Sequence, residues 1–173
     1  MFAVLKHGEW RREVGKLTVT AKRRAEWDGL EAQLSGCLRG LEKKGAPRLG
    51  HDPAIPESPG IYLFVDGKTP IYVGQSRNLR ARLDQHCQRS SGTLSASLAF
   101  NIAKEQCWGK DPPKRRAEVQ EHRQFKQFFR AAKEGLDKME VRWIEVESPE
   151  LRTVLEVYIA ILLGTKYNSF ETH

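Results

Sequence analysis

Arg82 and His86 stand four residues apart, which on a helix places both on one face. Arg82 would supply a fixed cation whose planar fork of donors matches phosphate. Glu156 is the only charged residue between Val154 and Leu163. A lone acid in so apolar a stretch is costly to bury unless it binds something. Tyr62 and Tyr72 lie in two runs of β-branched and aromatic residues. A tyrosine, with a free pKa near ~10, is a poor base unless nearby cations lower it. Each residue also has a plain structural reading: a surface charge for Arg82, a core histidine for His86, half-buried packing aromatics for the tyrosines.

The surrounding pattern indicates which elements must carry these groups. Gly60-Ile61-Tyr62-Leu63-Phe64-Val65 and Pro70-Ile71-Tyr72-Val73-Gly74 flank an Asp66-Gly67 pair, and so predict a β-hairpin. Ser76 is the expected N-cap of a helix carrying Leu79, Arg82, Leu83 and His86. Helices are expected over about Thr93–Gln106 and Arg115–Lys133, divided by the break at 109–113. Met139 to Val146 alternates charged and apolar residues and reads as a third strand. Ser148-Pro149-Glu150 combines an N-cap, a first-turn proline and an early acid, so a helix should start there and end at Gly164. Upstream, Trp27, Leu30, Leu34, Cys37, Leu38 and Leu41 recur at helical spacing from Thr20 to Lys44, after a weak alternation at Leu17 to Thr20. A Pro/Gly-rich stretch then runs to Pro59. The order argues for an α+β fold with a small, mostly antiparallel three-stranded sheet flanked by helices. Residues 1–58 would form a helical N-terminal extension with a linker, and 59–173 the main domain.

The pair Gly60-Ile61-Tyr62 and Tyr72-Val73-Gly74 resembles the two motifs that name the GIY-YIG nuclease superfamily, in the style of the N-terminal nuclease domain of the bacterial excision-repair endonuclease. Arg82, His86, Glu156 and Asn168 follow in the family's order, so the resemblance spans about Pro59 to Asn168. Only nine residues separate the two tyrosines, where ten or eleven are usual, and the second motif reads YVG. The resemblance implies a metal-dependent endonuclease whose catalytic residues are Tyr62, Tyr72, Arg82, His86, Glu156 and Asn168. Glu156 would hold one Mg²⁺ (or Mn²⁺) whose other ligands are water and phosphate, which suits an ion that dehydrates reluctantly. Tyr62 or Tyr72 would deprotonate the attacking water, and the sequence leaves open which. A shared site also makes a geometric demand. Tyr62 must stand opposite Tyr72 or two residues away from it, which calls for a three-residue loop, Asp66-Gly67-Lys68, with Val65 opposite Thr69, or equivalently for a bulge. Pro70, unable to donate to a regular ladder, favours that irregularity.

The composition, 39% hydrophobic and 29% charged, excludes disordered and membrane classes. The opening apolar run, Met1 to Leu5, is too short for a signal-peptide core, and a cytoplasmic protein is expected. Cys37, Cys87 and Cys107 are too widely spaced to suggest a disulfide framework or a zinc site. The formal charge of +7 is unevenly spread: Ser76 to Lys133 holds 13 Lys and Arg against 5 Asp and Glu, and the remainder to His173 holds 4 against 8. Arg77, Arg80, Arg89, Lys114, Arg115, Arg116, Arg123, Lys126 and Arg130 are therefore candidates for nucleic-acid contact, most simply with DNA, a solvated basic surface being the alternative. A non-catalytic nucleic-acid-binding module on the same scaffold is the competing functional reading. The intact set Tyr62, Tyr72, Arg82, His86 and Glu156 argues against it. Cutting two strands from one site per chain would favour a transient homodimer on the substrate.

Overall fold

In a computed structural model the described residues are 19–43, 54–109 and 111–170. Leu17, Thr18 and most of the Pro/Gly-rich stretch lie outside them, and Val19 and Thr20 are not in a strand. The chain divides into two compact units, 1–35 and 36–173. Helix α1 covers Ala21–Lys43. Within the larger unit Leu41 is buried, and Gly40 lies so close to Ile144 that a Cβ there would be 3.1 Å from its Cγ2.

Strands β1, Gly60–Asp66, and β2, Thr69–Ser76, form the expected hairpin, and β3, Glu140–Glu145, pairs with the other edge of β1. All pairings are antiparallel, in the order β2-β1-β3. Central β1 is covered on both faces, so Gly60 to Val65 are all buried and the strand reads as a continuous apolar run. One face carries Tyr62 and Phe64 beside Trp143 and Val141, and packs into the main core. That core is filled by α2, Leu79–Cys87, α3, Ser97–Trp108, α4, Arg116–Glu121, and α5, Arg123–Leu136. The alternate residues Ile61, Leu63, Val73 and Ile144 face the other way, where α6, Pro149–Leu163, packs on β1 and β2 and buries Leu151, Leu155 and Ile159.

Helix α6 starts and stops where the sequence places it. Ser148 Oγ accepts from Leu151 N at 3.1 Å, Pro149 fills the first turn, and Gly164 takes the left-handed conformation, φ 60°. Buried Arg152 donates to the carbonyls of Val146 and Glu147, both at 2.8 Å, and so ties the helix to the end of β3.

Three boundaries differ from expectation. The N-cap of α2 is Asn78, whose side chain accepts from Ala81 N at 2.9 Å; Ser76 instead caps the preceding turn, accepting from Asn78 N at 3.1 Å and donating to Asn78 O at 2.8 Å. The single helix expected over 115–133 breaks at His122, which has extended ψ of 127° and no proline or glycine beside it. Its ring packs on Trp108 at 5.1 Å, a tertiary contact that local propensity does not foresee. The hairpin closes through a two-residue Gly67-Lys68 turn with Asp66 opposite Thr69, not the three-residue loop, and the odd residue is a bulge at Ile71. Gly67 takes φ 61°, as such a turn requires.

Candidate active site

The bulge sets the register that the site depends on. Beyond it Phe64 faces Tyr72 and Tyr62 faces Gly74, so Tyr62 and Tyr72 share one sheet face two residues apart. Their ring centroids are 6.2 Å apart. Tyr62 leans across its partner strand: a Cβ on Gly74 would clash with the Tyr62 hydroxyl and lie 2.5 Å from Cζ. At Gly60 a Cβ would clash with the Ile144 carbonyl oxygen and lie 2.7 Å from Leu79 Cδ1. Each motif glycine is thus a place where another group comes too close for any side chain.

Helix α2 brings Arg82 and His86 to the same phenol. His86 Nε2 lies 2.9 Å from Tyr62 Oη, and Arg82 Nε donates to that oxygen at 3.3 Å. Arg82 is anchored further by donating to Ser95 O at 2.7 Å, Gln85 Oε1 at 3.3 Å and Ser97 Oγ at 3.5 Å. His86 is fully buried among Tyr62, Phe64 and Tyr72, with ring centroids at 5.5, 5.3 and 6.0 Å. Burial, then the Arg82 cation, pulls its pKa down to about 3, so the imidazole is neutral. Its Nδ1 has no protein partner among the described residues. An orphaned acceptor is better tolerated than an orphaned N–H, so the proton is assigned to Nε2, which donates to Tyr62. The Tyr62 oxygen then accepts from two donors. Burial nevertheless holds the Tyr62 pKa well above the ordinary tyrosine value; interaction with the Tyr72 hydroxyl adds to the rise and Arg82 opposes it. Burial works against the Arg82 charge, but Tyr62 and then Tyr72 outweigh it and keep the guanidinium protonated.

Glu156 reaches the site from α6, on the other side of edge strand β2. Its Oε2 accepts from Gln75 Nε2 at 2.8 Å. Burial raises its pKa above the usual carboxylate range, opposed by the Gln75 hydrogen bond and by the field of Arg82. Among the described residues no Lys, Arg or His stands within ion-pair distance of it. Asn168 braces the same strand. Its Oδ1 accepts from Val73 N at 2.9 Å and from Thr165 Oγ1 at 2.8 Å, and its Nδ2 donates to Val73 O at 2.8 Å, so both ends of the amide are engaged as a neighbouring strand would engage them.

The structure therefore brings Tyr62, Tyr72, Arg82 and His86 together, sets Glu156 within the field of Arg82, and puts Asn168 on the backbone of β2. Gln75, Ser95, Ser97 and Thr165 were not singled out in the sequence; Gln75 alone left a trace there, as a polar residue directly after the second motif. The basic residues scatter in role. Arg80 donates to Ile55 O at 2.9 and 2.7 Å and pairs with Glu57, and Arg116 lies 3.8 Å over the Phe100 ring while donating to Thr93 O, so both serve packing. Arg115 is near Glu118 and Lys126 pairs with Glu121, whereas Arg77, Arg89, Lys114, Arg123 and Arg130 are exposed.

A three-stranded antiparallel sheet with tyrosines from both hairpin strands, an Arg/His helix and a glutamate helix defines a class, and a family model agrees: the GIY-YIG catalytic domain matches residues 58–159. The chain belongs to that family. Among curated relatives it is 50% identical to the UvrABC system protein C of Deinococcus radiodurans over 53 residues, 28% of this chain and 9% of that protein. The UvrABC system protein C of Aquifex aeolicus is 54% identical over 35 residues, 20% of this chain and 6% of that protein. The stretch of similarity thus spans less than a tenth of either relative's length. Among solved structures, the GIY-YIG N-terminal endonuclease domain of UvrC from Thermotoga maritima bound to its catalytic divalent cation, magnesium, is 20% identical over 67% of this chain and 89% of that chain, with a TM-score of 0.39. No helix among the described residues is long and apolar enough to cross a membrane.

Proposed function

We propose that this chain is a divalent-metal-dependent endonuclease that hydrolyses phosphodiester bonds of nucleic acid, with DNA the first substrate to test and residues 59–173 as the catalytic domain. The observation that carries this reading is the convergence of Tyr62, Tyr72, Arg82 and His86 on one sheet face, with Glu156 in reach of the Arg82 field.

Hydrolysis needs a base for the attacking water, charge neutralisation on the phosphoryl oxygens and help for the leaving oxygen. Tyr72 is the better base. It is only half-buried, so a water can reach it, whereas the Tyr62 hydroxyl is enclosed and its proton held on by burial and by Tyr72. Tyr62 acts as the positioning residue: taking donors from His86 and Arg82, it turns its own proton toward Tyr72, where a developing phenolate would accept it. Arg82 presents fixed positive charge to both hydroxyls and to the phosphate.

The donor set fits one hard cation. Glu156 is half-buried, has no Lys, Arg or His at ion-pair distance among the described residues and is pushed toward its neutral form, all of which a divalent ion would relieve. No cluster of three His, Cys, Asp or Glu residues exists among the described residues, so such an ion would keep most of its water, as Mg²⁺ prefers. When bound, it would supply Lewis-acid stabilisation of the phosphoryl charge. Asn168 holds β2, and so Tyr72, against its neighbours.

The test is cleavage of supercoiled plasmid and of single-stranded DNA and RNA with Mg²⁺, Mn²⁺ or chelator. Wild type should cut only with metal. Glu156→Gln should lose about a thousandfold in rate, the several kcal/mol a metal supplies at ~1.4 kcal/mol per tenfold, while keeping its affinity for the polymer. Near-wild-type cutting by that variant at saturating Mg²⁺ would remove Glu156 from the reaction.

A further inference from the structure

The basic surface is not uniform: it deepens into a cavity of about 540 Å³ between the C-terminal end of α2 and the side of α5. Arg89, Lys126, Arg130 and Lys133 line it, against a single carboxylate, Glu134, with the Phe129 ring beside them. We propose that this cavity is a second binding site, separate from the cluster at Tyr62, that takes a phosphate group of the nucleic-acid strand in the guanidinium forks of Arg89 and Arg130.

The four cations are not equivalent. Lys133 is buried, and its Nζ spends its three protons on Gln88 O at 3.1 Å, Arg89 O at 2.7 Å and Ser91 O at 3.1 Å. It sits 4.8 Å over the Phe129 ring. Lys133 therefore gives the cavity charge and a fixed wall, but no free donor. Lys126 is shared with Glu121 at 3.1 Å. Arg89 and Arg130 have no carboxylate at ion-pair distance among the described residues, and Arg130 is close enough to Lys133 to depress its pKa, after burial itself. Four like charges gathered around one lining carboxylate, Glu134, cost energy that an anion would return. A structural role accounts for Lys133 alone; it leaves Arg89 and Arg130 unexplained. The Cys87 thiol on the same wall is pushed up to about 12 by burial, then by Asp137 and Asp84, and so adds no negative charge to the cavity near neutral pH.

The loop that walls the cavity favours a nucleic-acid phosphate over any other. Lys133 pins it at residues 88, 89 and 91, Arg116 and Gln120 pin it at Thr93, and Arg82 pins it at Ser95 and Ser97. One braced segment thus runs from the cavity to the arginine of the active site. Cys87 stands five residues beyond Arg82 on α2, about 7.5 Å at 1.5 Å per residue. The identity of the strand rests on the nuclease reading; the anion site does not.

The experiment measures binding of fluorescent single-stranded and duplex oligonucleotides, each with a 5′-phosphate or a 5′-hydroxyl, from low to high KCl. Arg89→Ala/Arg130→Ala, both at exposed positions, is compared with Arg23→Ala/Arg24→Ala, an equal change of charge in the other compact unit. The cavity variant should lower the salt slope by about 0.7 to 0.9 per phosphate lost, and the control should leave it unchanged. A terminal-phosphate preference that the cavity variant abolishes assigns the site to a strand end, and equal loss on both termini assigns it to a backbone phosphodiester. An unchanged slope, or an equal drop in the control, overturns the proposal. Because the assay reads binding, absence of cleavage by wild type would sink the nuclease reading and leave this one standing.

Discussion

The two faces of edge strand β2 differ in how far their polar groups are already satisfied. On the Tyr72 side the Tyr62 oxygen has two donors and Arg82 has four acceptors, so that cluster is closed upon itself before any ligand arrives. On the Gln75 side Glu156 has one amide and a burial penalty that the field of Arg82 only partly offsets, with no cation at ion-pair distance among the described residues. Groups that must hold position are hydrogen-bonded to one another, His86 Nδ1 excepted, which fixes geometry at little reorganisation cost during reaction. A group that must bind is left short of a partner, since free energy stored as an unmet charge is released only on binding. Substitutions on the two faces should therefore fail in different ways.

The largest contrast lies within the tyrosine pair. Tyr72→Phe removes the proposed base and the Tyr72 hydroxyl that interacts with Tyr62 and Arg82, but at a half-buried position where water can take its place, so kcat should fall about 10²- to 10⁴-fold with a smaller loss of stability than Tyr62→Phe causes. Tyr62→Phe leaves buried His86 Nε2 and Arg82 Nε without their shared acceptor and should cost about 1–3 kcal/mol of stability as well as activity. Urea denaturation beside single-turnover kinetics separates the two. Equal stability loss from both would end the distinction between base and positioning residue.

The closed cluster should also announce itself in pH. Unfolded His86 binds a proton near pH 6.5, whereas the folded residue resists until about 3. Between these values the unfolded state holds more protons, so stability rises with pH and is lost as pH falls below 6.5, by at most about 1.4 kcal/mol per unit. Glu156 acts with the opposite sign just above the ordinary carboxylate range, because its raised pKa gives the folded state the extra proton there. The histidine slope is thus cleanest near pH 6. In His86→Phe it should vanish, as urea midpoints between pH 5 and 7 would show; a slope that survives would mean that other groups cause it.

These two tests probe what the sequence showed unevenly. The motif tripeptides, Arg82, His86 and Glu156 were legible because each is a residue type whose chemistry and spacing are written along the chain, and the α6 helix because Ser148, Pro149 and Gly164 mark both ends. The bulge was legible as a need, since only an odd residue puts both tyrosines on one face, but not as a place. Asp66-Gly67 and Gly67-Lys68 are both plausible turns, and the one adopted leaves Ile71 at the bulge, buried in the core. The His122 break, the Gln75 bond to Glu156 and the anchoring of Arg82 on Ser95 depend on partners between 13 and 81 residues away, beyond any local pattern.

Asn168 offers the smallest effect and the finest test, because it braces the strand that divides the two faces. Its amide meets the N–H and the C=O of Val73 together, which no other neutral side chain but glutamine can do. Asn168→Asp keeps an acceptor for Val73 N and Thr165 Oγ1 but puts an oxygen against Val73 O, losing one hydrogen bond and gaining a repulsion; about 1–2 kcal/mol should be lost. Asn168→Ala abandons all three bonds at a site that is only part-buried, where water can replace some of them, so its cost should be comparable rather than three times greater. If Asn168 acts only by holding β2, both variants should lower kcat by the same few-fold factor and leave the Mg²⁺ concentration for half-maximal rate unchanged. A shift in that concentration with Asn168→Asp alone would mean that the side chain reaches the metal, and the brace would then belong to the open face and not to the closed one.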